Sequence, residues 1–158
     1  MKEMRRKDRE MPRLADIAEL LSRCDTVRLG LAGDEYPYVV PLSFGYETVE
    51  DKLVIYVHGG LKGDKHERIC RDDRVCVEAD LCHRFLAGKN GVTCAFESMI
   101  GFGHARVVGG EEAAHGLALV LQHCGYENFP YPPAILKVTT VYRIQLEEVN
   151  GKRYLPVE

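Results

Sequence analysis

Between Thr26 and His58 the sequence runs through three strand-like segments in close order, separated by gaps too short for a helical crossover. Val27, Leu29 and Leu31 share one face of the first run, Tyr38 to Tyr46 makes the second, and Leu53 to His58 makes the third. Alternation of this kind turns one face of a strand onto a core. A parallel connection needs roughly a dozen residues or more. The intervening Gly33-Asp34-Glu35-Tyr36-Pro37 and the polar stretch Thr48 to Lys52 are shorter and read as turns. The three runs are therefore expected to form an antiparallel meander. Proline cannot donate to a ladder, so Pro41 is expected to put the second strand at an edge or to open it there. An opened ladder frees backbone groups to bind something else.

The rest of the chain fits the same class. Leu14, Ile17, Leu20, Leu21 and Cys24 recur at helical spacing, with Pro12 in the first turn. Gly59 to Lys65 is glycine-rich and leads into a short helix ending near Arg71. Arg74 to Ala79 reads as a fourth strand, Leu81 to Thr93 as a loop holding Gly88-Lys89-Asn90-Gly91, and Phe96 to Val108 as a long strand. Glu111 to Cys124 has an acidic start and one apolar face, as a helix does. Gly125 to Pro133 is an aromatic, proline-rich loop, and Thr139 to Val149 alternates as a last strand. Runs of strands without βαβ alternation favour a small barrel over a doubly wound sheet. The expected fold is α+β: a mostly antiparallel barrel with two or three flanking helices, a single domain over residues 1–158 with residues 1–11 as an extended arm.

Composition narrows the function. The chain has 158 residues, 46% of them hydrophobic, which is enough for one ordinary core. Twenty-one basic residues against 24 acidic ones leave a net charge of -3, and there is no tryptophan. A nucleic-acid groove wants a basic excess and aromatic platforms, so nucleic acid is not expected as a partner. No apolar run is long enough to span a bilayer as a helix, and the start MKEMRRKDREMPR lacks a signal's apolar segment, so a cytoplasmic location is expected. None of the six cysteines forms a C-x-x-C pair. They are expected to be free thiols in a reducing compartment, and Cys82, His83 and Cys94 are not expected to hold a metal.

The glycine-rich corner is the strongest local signal. Glycines let backbone approach a ligand, the following helix start offers free N–H groups, and Lys62, Lys65, His66 and Arg68 supply cations. That chemistry suits one phosphate monoester, although a solvated loop with a helix cap would look the same. The order is neither a Walker loop nor G-x-G-x-x-G. No nucleophile elbow and no H-E-x-x-H is present, so hydrolytic catalysis has no support.

These pieces, in this order, resemble the flavin-binding split barrels of the pyridoxamine 5'-phosphate oxidase superfamily, and within it the 5-nitroimidazole resistance (nitroimidazole reductase) group. The resemblance is carried by Met4 to Glu10, Tyr36-Pro37-Tyr38-Val39-Val40-Pro41-Leu42-Ser43-Phe44, Tyr56-Val57-His58-Gly59-Gly60, Gly63-Asp64-Lys65, Asp73 to Glu78, Glu97 to Gly103, and Glu148 to Lys152. It implies a split β-barrel homodimer with FMN in clefts between subunits. Val40, Pro41, Leu42 and Ser43 would line the flavin ring, and His58, Gly59 and Gly60 would lie beside the ring and its tail. Lys65 would hold the phosphate with the Gly63 amide and with Lys62 or Arg68. Ser98 and Ile100 would come from near or across the dimer interface. His58 is the expected catalytic group, near a small-molecule acceptor such as a nitroaromatic that takes electrons from a reduced nicotinamide. The alternative is a non-catalytic barrel sequestering flavin or haem, with His58, His83 or His104 as the haem ligand. The oxidases' own Ser-Arg-Lys stands here as Gly63-Asp64-Lys65. The tail Lys152 to Glu158 lacks their arginine- and histidine-bearing segment, so pyridoxamine phosphate oxidase activity is not expected.

Overall fold

The alternating run after the first helix folds as expected, and its pairing decides the rest of the architecture. The computed structural model describes residues 1–33, 35–88 and 91–156. Asp34 of the expected turn, Lys89 and Asn90 of the glycine-flanked turn, and the last two residues of the tail therefore lie outside the described residues. The elements are β1 (Glu10–Met11), α1 (Leu14–Arg23), β2 (Val27–Leu31), β3 (Tyr38–Leu42), β4 (Phe44–Val49), β5 (Lys52–Gly60), α2 (Asp64–Arg71), β6 (Arg74–Gly88), β7 (Gly91–Val108), α3 (Gly110–His123) and β8 (Thr139–Tyr154). Short 3-10 turns sit at Lys7–Arg9 and Pro133–Lys137. The strands form one 8-stranded sheet in the order β3-β2-β6-β7-β8-β5-β4, with β1 added to β8. Every pairing is antiparallel. The fold is α+β, and the sheet does not close: β3 and β4, consecutive in the chain, lie at its two ends.

Two expectations change here. The second run is not one strand opened at Pro41. Pro41 lies inside β3 opposite Arg28, and the chain breaks at Ser43 before β4 begins. The proline is accommodated because β3 is an edge strand, paired with β2 alone. The meander is thereby cut in two: β3 stays with β2, while β4 pairs with β5 on the far edge. The expected loop from Leu81 to Thr93 is also corrected, because β6 and β7 continue through it as a hairpin from Cys82↔Phe96 to Gly88↔Gly91. Its residues are mostly exposed on both faces, with Phe85 at 74% and Val92 at 73%. Without a buried face, a strand carries no alternation to read.

Two apolar layers hold the sheet. Inside the barrel Val27, Leu29, Phe44, Ile55, Val57, Val77, Met99, Tyr142 and Ile144 pack with Ile17, Leu20 and Leu21 of α1. Outside it, Val54 and Tyr56 of β5 pack with Ala113, Leu117 and Val120 of α3. β5 is therefore apolar on both faces. Helix α3 sits so close to β4 that a Cβ on Gly45 would fall 2.4 Å from the Leu119 backbone, which only glycine avoids. The tight turn of β4 into β5 uses Glu50 and Asp51 at φ 49° and 59°. Among the described residues no helix is long and apolar enough to cross a membrane.

Candidate functional site

The pairing pattern leaves a slot. β4 pairs with β5 only as far as Phe44↔Val57. Beyond it, His58, Gly59 and Gly60 pair only on the β8 side, with Val141, Thr140 and Thr139. β3 is free along its outer edge, and Ser43 alone joins it to β4. Two unpaired ladder edges thus diverge from Ser43, one carrying Leu42, Pro41 and Val40, the other His58 to Gly60. Val40 and Leu42 turn inward against the core, while Pro41 and Ser43 are exposed.

The foot of the slot is cationic. Lys65, on the first turn of α2, is half-buried and donates from Nζ to the His58 carbonyl at 2.8 Å. It lies directly over Gly59, where a Cβ would stand 2.7 Å from the ammonium. The glycine is thus the cradle of the lysine. Burial pushes the Lys65 ammonium below its ordinary pKa. An ammonium has three donors, and the carbonyl accepts one. Gly63 caps α2 in the left-handed region at φ 124°, and the Lys62 side chain stands on the exposed loop. Arg68 is committed elsewhere: Nε donates to Asp64 at 2.8 Å, Nη1 donates to the Ala32 carbonyl at 3.1 Å, and the guanidinium stacks over Tyr38. The Asp64 carboxylate is thereby paired with Arg68. His66 meets the buried Tyr142 hydroxyl at 2.9 Å, holding α2 on the barrel end.

His58 divides its groups between two sides of β5. Its carbonyl accepts from Lys65, and its Nδ1 is buried with no hydrogen-bond partner among the described residues. Burial, with the Lys65 ammonium beside it, holds the imidazole below the usual histidine pKa. Neutral imidazole is a hydrogen-bonding group at pH 7 rather than an acid.

Ser98 and Ile100 are not part of this cluster. Both face outward from β7, Ser98 between Asp80 and Lys152, and Ile100 at 44% exposure. The two other histidines named as haem ligands are engaged: His83 with Glu97 at 2.9 Å and His104 with Asp73 at 2.8 Å. The Cys82 and Cys94 thiols stand 3.1 Å apart, with His83 turned to Glu97 instead of towards them.

Sequence reasoning missed Glu97. It is 1% exposed, on the inward face of β7. Arg23 holds both its oxygens at 2.7 and 2.9 Å, and Arg153 and His83 donate at 2.6 and 2.9 Å. These donors keep its carboxyl down at about 2, the Arg23 hydrogen bonds first. The signal was present: Ala95, Glu97 and Met99 share one parity, so a carboxylate stood on a core face and required partners.

An open antiparallel barrel, split between two free edges and with a glycine-cradled lysine at one foot, places the chain in the split-barrel class. The chain belongs to the pyridoxamine 5'-phosphate oxidase family, whose sequence model matches residues 14–153. Among solved structures it is similar to a candidate 5-nitroimidazole antibiotic resistance protein from Bacteroides thetaiotaomicron, at 26% identity over 90% of this chain and 85% of that one, with TM-score 0.81. It is also similar in fold to the flavocytochrome Anf3 from Azotobacter vinelandii, at 17% identity over 98% and 73% of the two chains and TM-score 0.81. A FAD and haem binding protein from Mycobacterium smegmatis shares the fold at 15% identity over 95% and 76%, with TM-score 0.72. No curated protein matches the chain in sequence.

Proposed function

We propose that the chain is an FMN-dependent oxidoreductase that passes electrons from a reduced nicotinamide to a small acceptor such as a nitroaromatic, and that it acts as a homodimer. The observation that carries this reading is Lys65: a desolvated ammonium, laid over Gly59 with donors to spare, at the foot of a slot edged by unpaired backbone. A phosphate monoester satisfies that ammonium, and the unpaired backbone edges of β3 and of Gly59 and Gly60 suit the polar edge of a flat ring. Flavin brings its own redox chemistry, so the protein has only to bind, orient and shield it. In this reading Lys65 anchors the phosphate with the Gly63 amide, Val40 to Ser43 align the ring, and the backbone of His58, Gly59 and Gly60 borders it; the His58 imidazole, expected as the catalytic group, lies on the α3 face of β5 and takes no part at the ring. Neighbours that bind FAD and haem make the cofactor itself the first thing to test.

Purified protein is expected to show a flavin absorption spectrum, or to take up one FMN per chain on titration, with FAD weaker because Lys65 meets a terminal phosphate. A colourless preparation that binds neither flavin, or one that gives a Soret band with haem instead, would contradict the proposal.

The dimer has support on the outer face of the sheet. Val39, Ile100 and Phe102 are 42–60% exposed there, beside an open trough of about 570 Å³. Exposed apolar groups in this density mark an interface. Ile100→Glu is expected to convert a dimer into monomers in light scattering and to weaken FMN binding in parallel. A monomeric wild-type protein would refute both halves.

A further inference from the structure

β5 is lined on two sides, and the side that faces α3 holds more than packing. Leu53, Ile55 and Val57 face the barrel interior, while Val54 and Tyr56 face α3. His58 continues the second series, which places its imidazole outside the barrel wall. There it lines a cavity of about 310 Å³ together with Leu117 and Val120 of α3, Phe129 and Tyr131 of the proline-rich loop, and Ile135. Among the described residues, no charged side chain lines this cavity. It is separate from the slot, with the β5 backbone between them.

We propose that this cavity binds a small, neutral, flat aromatic molecule that carries one hydrogen-bonding group for the His58 imidazole. Three observations select that chemistry. The walls are apolar and partly aromatic, which favours ring faces over flexible polar chains. The buried His58 Nδ1 lacks a partner among the described residues, and buried polar atoms are rarely left so, which calls for a ligand with a donor or acceptor. The size is at the small end of ligand pockets, roughly 300–1,000 Å³, which limits the occupant to one or two fused rings. A cation is disfavoured because Lys65 lies on the same residue's carbonyl. The inference does not rest on flavin. If flavin occupies the slot, the two ligands address His58 from opposite sides of one strand.

The test uses benzimidazole at pH 8, where it is neutral, on the full-length protein with and without FMN, followed by methyl and imidazole NMR signals. Saturable shifts are expected at Leu117, Val120 and the His58 ring. Indene, the same shape without hydrogen-bonding atoms, is expected to bind about tenfold more weakly. Leu117→Trp, which fills the cavity, is expected to abolish the shifts. Absence of shifts in the wild-type protein up to about 1 mM probe, where even weak sites respond, overturns the proposal without recourse to any variant. Equal binding of indene, or tighter binding of decanol, overturns the assigned ligand class. FMN titrations on the same samples keep the two readings apart, since loss of flavin binding alone leaves this one standing.

Discussion

Glu97→Ala is expected to lower stability by about 3 kcal/mol, and with it the melting temperature by roughly 10 °C for a chain of this size. The carboxylate is buried and joins α1 through Arg23, β6 through His83 and β8 through Arg153. Its removal leaves three donors aimed at a vacated point. Removing one partner of a buried pair costs about 3–5 kcal/mol. The lower end applies because the two arginine side chains keep 38% and 32% of their exposure and can rehydrate. The same group sets an acid limb. The folded carboxyl titrates at about 2, below its unfolded value, so its contribution is complete above the unfolded pKa and disappears as pH falls from about 5 towards 2. Wild-type melting temperature should fall over that window, and Glu97→Gln should flatten the slope. A Glu97→Ala protein that melts with the wild type would show that the cluster is ornamental to stability.

The second large effect is on ligand affinity. Lys65→Ala is expected to weaken FMN by about 1.5–3 kcal/mol, or roughly ten- to a hundredfold in Kd, since a charge-assisted bond to phosphate is lost. Lys62→Ala, on the exposed loop, is expected to change Kd by about threefold or less, as solvent-screened charges do. Fluorescence titration of FMN measures both, with circular dichroism to check the fold. Equal affinity of Lys65→Ala and wild type would remove Lys65 from the site. Arg68→Ala separates binding from scaffolding, because Arg68 already serves the Ala32 carbonyl and Asp64.

How much of this was legible follows from what each residue faces. Helix α1 announces itself through Ile17, Leu20 and Leu21, which meet the barrel on one stripe. β2 and β8 announce themselves because each buries every second side chain over much of its length. The outer hairpin of β6 and β7 was illegible for the opposite reason: both its faces meet solvent, so its sequence satisfies no period. The lysine corner was visible as glycines followed by cations. Its internal division was not, because Lys65 and Arg68 share a helix and only their partners distinguish them.

The amino-acid order by itself determined the three main helices, most of the strands, their antiparallel class, an edge or an opening at Pro41 and the glycine-lysine corner, since these depend on local steric rules and on periodicity within one element. Tertiary structure alone decided that Ser43 separates two sheet edges, that Glu97 gathers two arginines and a histidine, and that His58 turns its ring to α3 while its carbonyl holds Lys65. Each of those depends on which distant strands become neighbours. That choice is made by burying all the elements at once, which no short stretch of sequence encodes.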